Sequence, residues 1–236
     1  TRELRAANAL KPFTPPVVTQ EPGVWLGKGI DSITDERDAL TVKKSTTVLL
    51  VVNSNLLRPE ERPKSYKDLL DPKWKGKITM HDPTVPGVGN SLFGMLTREY
   101  GLDFWEKMRG QNMFIIRDYG EVGRRVAVGE VPVALGLGAT QVMAFLVAGA
   151  PIKLVPPSEG AVTAYGPVYL INNSPHPNAG KVFVNWLLTR ESQEIISRES
   201  GDEPIRADVP YRPHPEIQNV INSMPKWLFQ DWKATE

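Results

Sequence analysis

The sequence predicts an α/β fold, and three observations carry that prediction. Short β-branched or apolar runs alternate along the chain with segments of helical periodicity, the pattern of a parallel sheet wrapped by helices. Gly and Pro, 19 and 21 of 236 residues, fall between these segments and mark many turns. Thr46–Val52 (TTVLLVV) has the length and composition of a buried strand. At 26.3 kDa the chain is long enough for one large domain or two small ones.

Taken in order, Thr1–Leu10 reads as the end of an amphipathic helix, stopped by Pro12, Pro15 and Pro16. A Gly-Val-Trp turn lies within Glu21–Gly29. The strand Thr46–Val52 ends in the turn formers Asn53, Ser54 and Asn55. Pro63–Leu70 predicts a short helix, Asp71–Gly76 a turn and Lys77–His81 a strand, followed by the Gly/Pro-rich DPTVPGVGNS. From Ser91 the periodicity is helical, with Leu92, Met95 and Leu96 on one face and Gly101 as the stop. Phe104, Trp105 and Met108 mark a second short helix, Met113–Arg117 a strand and Glu121–Gly129 a helix.

Val131–Leu135 is the next strand, then GLGATQ and the helix VMAFLVAGA. Ile152–Val155 and Val168–Ile171 read as strands separated by PPSEGAVTAYG. A long helix follows, capped at Ser174 or Asn178, with a stripe of Val182, Phe183, Trp186 and Leu187 continued by Ile195 and Ile196 and a stop at Gly201. A Pro-rich tail from Pro210 ends in Trp227, Phe229 and Trp232. No internal repeat or low-complexity tract is present.

Composition excludes several function classes. Hydrophobic residues are 41% and charged residues 23%, values of a globular chain. Lys plus Arg is 28 against 27 Asp plus Glu, so no basic excess exists to exchange for phosphate counterions, and nucleic acid is not expected as a partner. The absence of cysteine removes thiol catalysis, disulfides and thiolate zinc sites. The longest apolar stretches, near Val48–Val52 and Val142–Ala150, fall far short of the ~20 residues that span a bilayer. The opening TRELRAANAL carries no basic-then-apolar leader, and the expectation is that a front segment was removed.

Two turns hold the chemistry. Asp82–Ser91 and Gly136–Gln141 each follow a predicted strand, are rich in glycine and open a helix. In a parallel sheet both lie at the carboxyl edge, where open α/β sheets bind ligands. Gly87, Gly89 and Gly138 would admit a ligand to the main chain, and the helix N-terminus favours an anion. Thr84, Asn90, Ser91, Thr140 and Gln141 add side-chain donors beside Ala139. The same residue types also suit a βα turn with no ligand.

Other motifs fail on spacing. Neither GVGNSL nor GLGATQ has the dinucleotide spacing, and no GxxxxGK[ST] or G-x-S-x-G is present. The three histidines, His81, His176 and His214, form no i, i+4 pair. His81, before Asp82 at a strand end, has either a role in a site or a structural one, and His176 reads as part of a helix-entry turn. Trp25, Tyr119 and Tyr165 sit in predicted turns and are candidates to line a pocket. Trp74, Trp105 and Trp186 read as core. Arg117, at the end of a predicted strand and beside Asp118, could meet an anion or form an ion pair.

Four segments, PKSYKDLLDPKWKGKITMHDP, VAVGEVPVALG, AGAPIKLVPPSEG and NSPHPNAGKVFVNWLLTRESQ, together resemble the extracellular solute-binding proteins of bacterial ABC importers, within the ferric-ion and 2-aminoethylphosphonate binding group. The likeness runs from about Ala6 to about Val209. It implies a two-lobed periplasmic-binding-protein fold (type II), each lobe a mostly parallel sheet flanked by helices. Residues 1–57 would be part of the first lobe with a crossover strand, 58–160 the second lobe, 161–208 the return to the first, and 209–236 a tail packing on the second. Tyr165 would lie near the hinge. The chain begins after the family's first βα units, so the first lobe is expected to be incomplete, with an exposed sheet edge.

Ferric-ion binders of this group carry adjacent tyrosines just after the strand matching Val131–Leu135, where this chain has Gly138, Ala139, Thr140 and Gln141. Those donors suit a small oxyanion or polar organic solute better than iron. The resemblance therefore implies a periplasmic, non-enzymatic chain that captures a small polar, anionic solute by hinge closure and passes it to an inner-membrane permease, with no cofactor, no resident metal and no membrane insertion. The ligand-binding set is Thr84, Gly87, Gly89, Asn90, Ser91, Gly138, Ala139, Thr140, Gln141 and Tyr165. Alternatives are a ferric-iron binder with a synergistic anion, or a ligand-sensing module. An enzyme such as porphobilinogen deaminase, on a similar fold, would need a cysteine for its cofactor.

Overall fold

The computed structural model describes residues 2–26, 34–35, 39–47 and 49–229. Helices α1 (Arg2–Ala6) and α2 (Pro16–Gln20) come first, then strands β1 (Thr34–Asp35), β2 (Ala39–Thr47) and β3 (Leu49–Asn53). After three 3₁₀ turns come β4 (Ile78–His81), α3 (Val88–Tyr100), α4 (Leu102–Arg109), β5 (Phe114–Ile116) and α5 (Tyr119–Ala127). The chain continues through β6 (Val133–Leu137), α6 (Ala139–Val147), β7 (Ile152–Val155) and β8 (Ala161–Val168). It closes with α7 (Pro177–Leu187), α8 (Arg190–Ser200), α9 (Pro215–Ser223) and β9 (Trp227–Phe229). Two compact units result, one of residues 1–44 with 165–212 and a larger one of 45–164 with 213–236. The sequence reading set these divisions at 57, 160 and 208.

The larger unit is built on a five-stranded sheet in the order β5-β4-β6-β3-β7. Strand β4 runs parallel to both β5 and β6, whereas β3 is antiparallel to β6 and β7. Four strands thus share a direction and one opposes them, where the sequence predicted a parallel sheet. The crossover helix α6 returns the chain so that β6 and β7 point the same way, and β3 fills the gap between them. An apolar strand such as LLVV suits either direction, so its composition carries no sign of the reversal.

Both faces of this sheet are covered, which is why its strands read as continuous apolar runs. On one face Leu50, Val52, Met80 and Leu135 pack with Leu92, Leu96, Phe104 and Met108. On the other, Val51 and Ala134 pack with Val122, Val126, Val142 and Leu146, and with Ile217 and Val220 of α9. The turn Asp71–Gly76 seals one end of the sheet. The Asp71 side chain accepts from the Lys73 N–H, Trp74 is buried, and the Gly76 N–H reaches the Gln111 carbonyl. Trp227 of the tail packs on the second face, and β9 pairs in parallel with the start of β8. Trp232 lies outside the described residues.

The smaller unit has a modest apolar cluster of Val17, Val18, Trp25, Leu188 and Ile205. A buried guanidinium organises it. Arg206, 2% exposed, donates to both Asp208 oxygens, to Glu21 and to the Leu188 carbonyl, and lies 5.1 Å over the Trp25 ring. Gln193 ties three segments together, donating to the Val42 and Leu187 carbonyls and accepting from the Ile205 N–H. Trp25 is therefore core and lines no pocket.

Three further expectations change. The long helix predicted up to Gly201 is two helices, because Thr189 starts a new one by capping the Ser192 N–H. Its apolar stripe is not core: Val182, Phe183 and Trp186 are exposed. Strand β8 begins at Ala161, inside the stretch read as a separator, and Ile171 forms only an isolated bridge with Leu10.

Burial separates two otherwise similar truncations. Leu135→Ala empties a fully buried site in the larger unit and should cost about 2–5 kcal/mol in a urea titration. Val182→Ser, on the exposed face of α7, should stay within about 0.5 kcal/mol of the parent.

Candidate functional site

The three neighbouring parallel strands β5, β4 and β6 end on the same edge of the larger unit, and each is followed at once by a helix, α5, α3 and α6 respectively. Three helix N-termini therefore gather at the carboxyl edge of one sheet, the arrangement that favours ligand binding in α/β folds.

The middle strand supplies the anchor. Asp82, immediately after β4, donates its N–H to the Ile116 carbonyl of β5. Its Oδ1 accepts from the Thr84 N–H at 2.8 Å and the Thr84 hydroxyl at 2.6 Å, and its Oδ2 accepts from Arg117 Nε at 3.0 Å. These bonds, from Thr84 first and then Arg117, hold the Asp82 carboxyl down at about 2. Arg117 itself is 76% exposed at its side chain.

His81 lies directly beneath. Its ring is 2% exposed and stacks on Tyr119, with centroids 3.8 Å apart and planes within 4°. Its Nδ1 has no hydrogen-bond partner. Burial lowers the His81 pKa, against the opposing pull of a bond to the Arg117 main chain and of the Asp82 charge. The Tyr119 hydroxyl accepts the N–H of Val88, the first residue of α3, at 2.8 Å.

The glycines of this turn are required by that packing. A Cβ at Gly87, which sits at φ 145°, would lie 2.1 Å from the Tyr119 hydroxyl. A Cβ at Gly89 would lie 2.3 Å from the His81 carbonyl oxygen and 2.8 Å from its Nδ1. Both positions let α3 begin against the strand end, so their first role is structural.

Several side-chain donors picked from sequence are engaged locally. Thr84 serves Asp82, Asn90 Nδ2 donates to the Pro83 carbonyl at 3.0 Å, and Ser91 Oγ donates to the Gly87 carbonyl at 3.2 Å. Gln141 caps its own helix by accepting the Gly138 N–H at 3.0 Å. The main-chain N–H groups of Gly89 and Asn90, in the first turn of α3, make no hydrogen bond to any described residue. Ala139 and Thr140 occupy the first turn of α6 at the neighbouring strand end. Tyr165 belongs to the smaller unit, on β8, and is 38% exposed. Sequence reasoning named Tyr119 as a pocket candidate and Asp82 as the start of a Gly-rich turn, but missed that they cluster with His81; the signal was a carboxylate and a histidine side by side at a strand end.

Among the described residues no three His, Asp or Glu side chains come together as a metal site, and no helix is long and apolar enough to cross a membrane.

Comparison with known proteins places the chain in a family. The profile of the bacterial extracellular solute-binding proteins matches residues 27–235, and the chain belongs to that family. It is one of binding proteins, not of enzymes. A Salmonella typhimurium protein, provisionally described as a 2-aminoethylphosphonate-binding periplasmic protein, is 28% identical over 171 residues, covering 67% of this chain and 49% of that one. An uncharacterized Haemophilus influenzae protein is 28% identical over 147 residues, 61% of this chain and 42% of that one. The chain thus spans about half the length of the curated relatives it matches.

Solved structures share the type II periplasmic-binding-protein fold. AfuA from Actinobacillus pleuropneumoniae, with fructose 6-phosphate bound, has a TM-score of 0.71 at 19% identity, covering 98% of this chain and 69% of that one. Iron-bound HitA from Pseudomonas aeruginosa has a TM-score of 0.68 at 22% identity, covering 91% and 71%.

Acid should loosen this edge in two stages. Both His81 and Asp82 have folded pKa values below their ordinary ones, so the unfolded chain takes up their protons first. The His81 contribution is present above its ordinary pKa of 6.5 and is lost as pH falls below it; that of Asp82 is lost between 3.8 and about 2. A His81→Phe variant, which keeps a ring on Tyr119, should lose the upper stage alone in unfolding midpoints measured against pH. Gly89→Ala should destabilise the larger unit by about 1–3 kcal/mol through the clash with the His81 carbonyl, read by urea titration.

Proposed function

We propose that this chain is the solute-capturing component of an ABC importer in the periplasm, taking a small anionic solute of the phosphonate or phosphate-ester class and presenting it to an inner-membrane permease. The observation that carries this reading is the pair of unpartnered N–H groups, Gly89 and Asn90, at the start of α3 and next to the Asp82–Arg117 pair. Helix ends of this kind bind anions through main-chain donors and the positive end of the dipole.

Ala139 and Thr140, at the start of α6, extend the donor surface along the same sheet edge. Thr84, Asn90, Ser91 and Gln141 act in support of those main-chain donors, through the internal bonds that fix the turns. Capture works by hinge closure with the two units as the moving lobes, and no bond is made or broken. Two similar proteins support the phosphorus oxyanion class, one described by phosphonate binding and one holding a sugar phosphate.

Thermal unfolding with added solutes tests this. With 2-aminoethylphosphonate or fructose 6-phosphate at ~100 times its Kd, stabilisation should reach about 2.7 kcal/mol. No stabilisation by any phosphonate or phosphate ester, together with stoichiometric iron in chelator-free protein, would replace this reading with the ferric one.

A further inference from the structure

We infer that Arg117 reads the charge of the solute, with Asp82 as its positioning residue, and that the group it takes is a tetrahedral oxyanion of the phosphate or phosphonate class. This inference rests on the binding role proposed for the edge.

The geometry of the pair is the starting point. Asp82 is a fixed post: its side chain is 12% exposed, and Thr84 holds Oδ1 by two hydrogen bonds. Arg117 touches the other oxygen with Nε alone, at 3.0 Å. Its two terminal nitrogens make no bond to any described residue, although the side chain is 76% exposed. A pair built for stability would use the guanidinium fork on the carboxylate, since the bidentate form is the stronger and more specific. Here the single Nε contact holds the guanidinium by one edge and leaves its other four donors without a partner among the described residues. An ordinary surface ion pair joins two mobile side chains and contributes little. In this one the carboxylate partner is held in place by Thr84.

The surroundings set the shape of the partner. Arg117 follows β5 and α3 follows β4, two hydrogen-bonded parallel strands whose ends are tied by the Asp82 N–H to the Ile116 carbonyl. The guanidinium fork offers two parallel N–H bonds in one plane. The free N–H groups of Gly89 and Asn90 come from a different strand end. A carboxylate paired with the fork keeps both of its oxygens in the plane of the guanidinium. A phosphate or phosphonate has a third oxygen for the helix donors. Neighbouring acids do not compete for the guanidinium: Asp118 caps α5 through the Glu121 N–H, and Glu121 is held by Arg124 and Arg125.

Isothermal titration of the whole chain with methylphosphonate, inorganic phosphate and acetate tests the assignment. Arg117→Met should weaken methylphosphonate binding about 10- to 100-fold, the loss of charge-assisted bonds, with the unfolding midpoint unchanged. Arg117→Lys, which keeps the charge without the fork, should fall between. Asp82→Asn should weaken binding by a smaller factor, and should add nothing in the Arg117→Met background, because the amide keeps an oxygen for Thr84 and loses only the charged partner of Arg117. Wild-type affinity in Arg117→Met would overturn the assignment and leave the proposed function standing. Acetate binding as tightly as methylphosphonate would overturn the tetrahedral class. A wild-type chain that binds neither phosphate nor methylphosphonate would sink this inference and the anionic reading of the site together.

Discussion

Helix α3 begins against the end of β4 with no Cβ between them, and the arrangement of the larger unit's edge follows from that contact. Gly87 and Gly89 bring the first turn onto the His81 carbonyl and the Tyr119 hydroxyl at distances that any side chain would forbid. His81 is thereby buried flat on Tyr119, and Tyr119 takes the first N–H of α3, so β4, α3 and α5 are fixed by a single ring stack. Asp82, one residue further on, inherits a defined position and can hold Thr84 on one oxygen and Arg117 on the other. Strain at the glycines is avoided because only glycine adopts φ 145° without cost.

The smaller unit is held by a different kind of force. Its apolar cluster is small, and the buried Arg206 does the organising that a large core does elsewhere. Burying a guanidinium is costly unless its donors are satisfied, and here Asp208, Glu21 and the Leu188 carbonyl satisfy them while Trp25 covers the face. Such a hub specifies one arrangement of the segments that meet at it, because any other leaves a buried charge unpaired.

Membership of the solute-binding family does not by itself select a solute. Structures of this fold are described as bound to iron or to a sugar phosphate, or as thiamin binding, so the fold alone does not name the solute. A net charge of +1 gives no long-range field to attract an anion. In the site proposed above attraction is local, from helix ends and a guanidinium. Those act over a few ångströms and discriminate by shape as well as by charge.

The sequence by itself determined the alternation of strands and helices, the buried run at Leu50–Val52, the stops at Gly101 and Gly201, and the two Gly-rich turns as the places where chemistry could sit. Each of these is a local property, of periodicity, φ angle or composition, and so is visible one segment at a time. Motif order also carried the family. What the sequence could not contain was pairing. The reversal of β3 depends on which strands flank it, and the exposure of Val182, Phe183 and Trp186 depends on what packs against α7, neither of which periodicity records. The roles of the turn residues divided for the same reason. Gly87 and Gly89 read as ligand glycines from sequence, and the fold adds a packing role, Gly87 against the Tyr119 hydroxyl some thirty positions on and Gly89 against the His81 carbonyl. Arg117 and Asp82 lie 35 positions apart, and only the parallel register of β4 and β5 makes them partners.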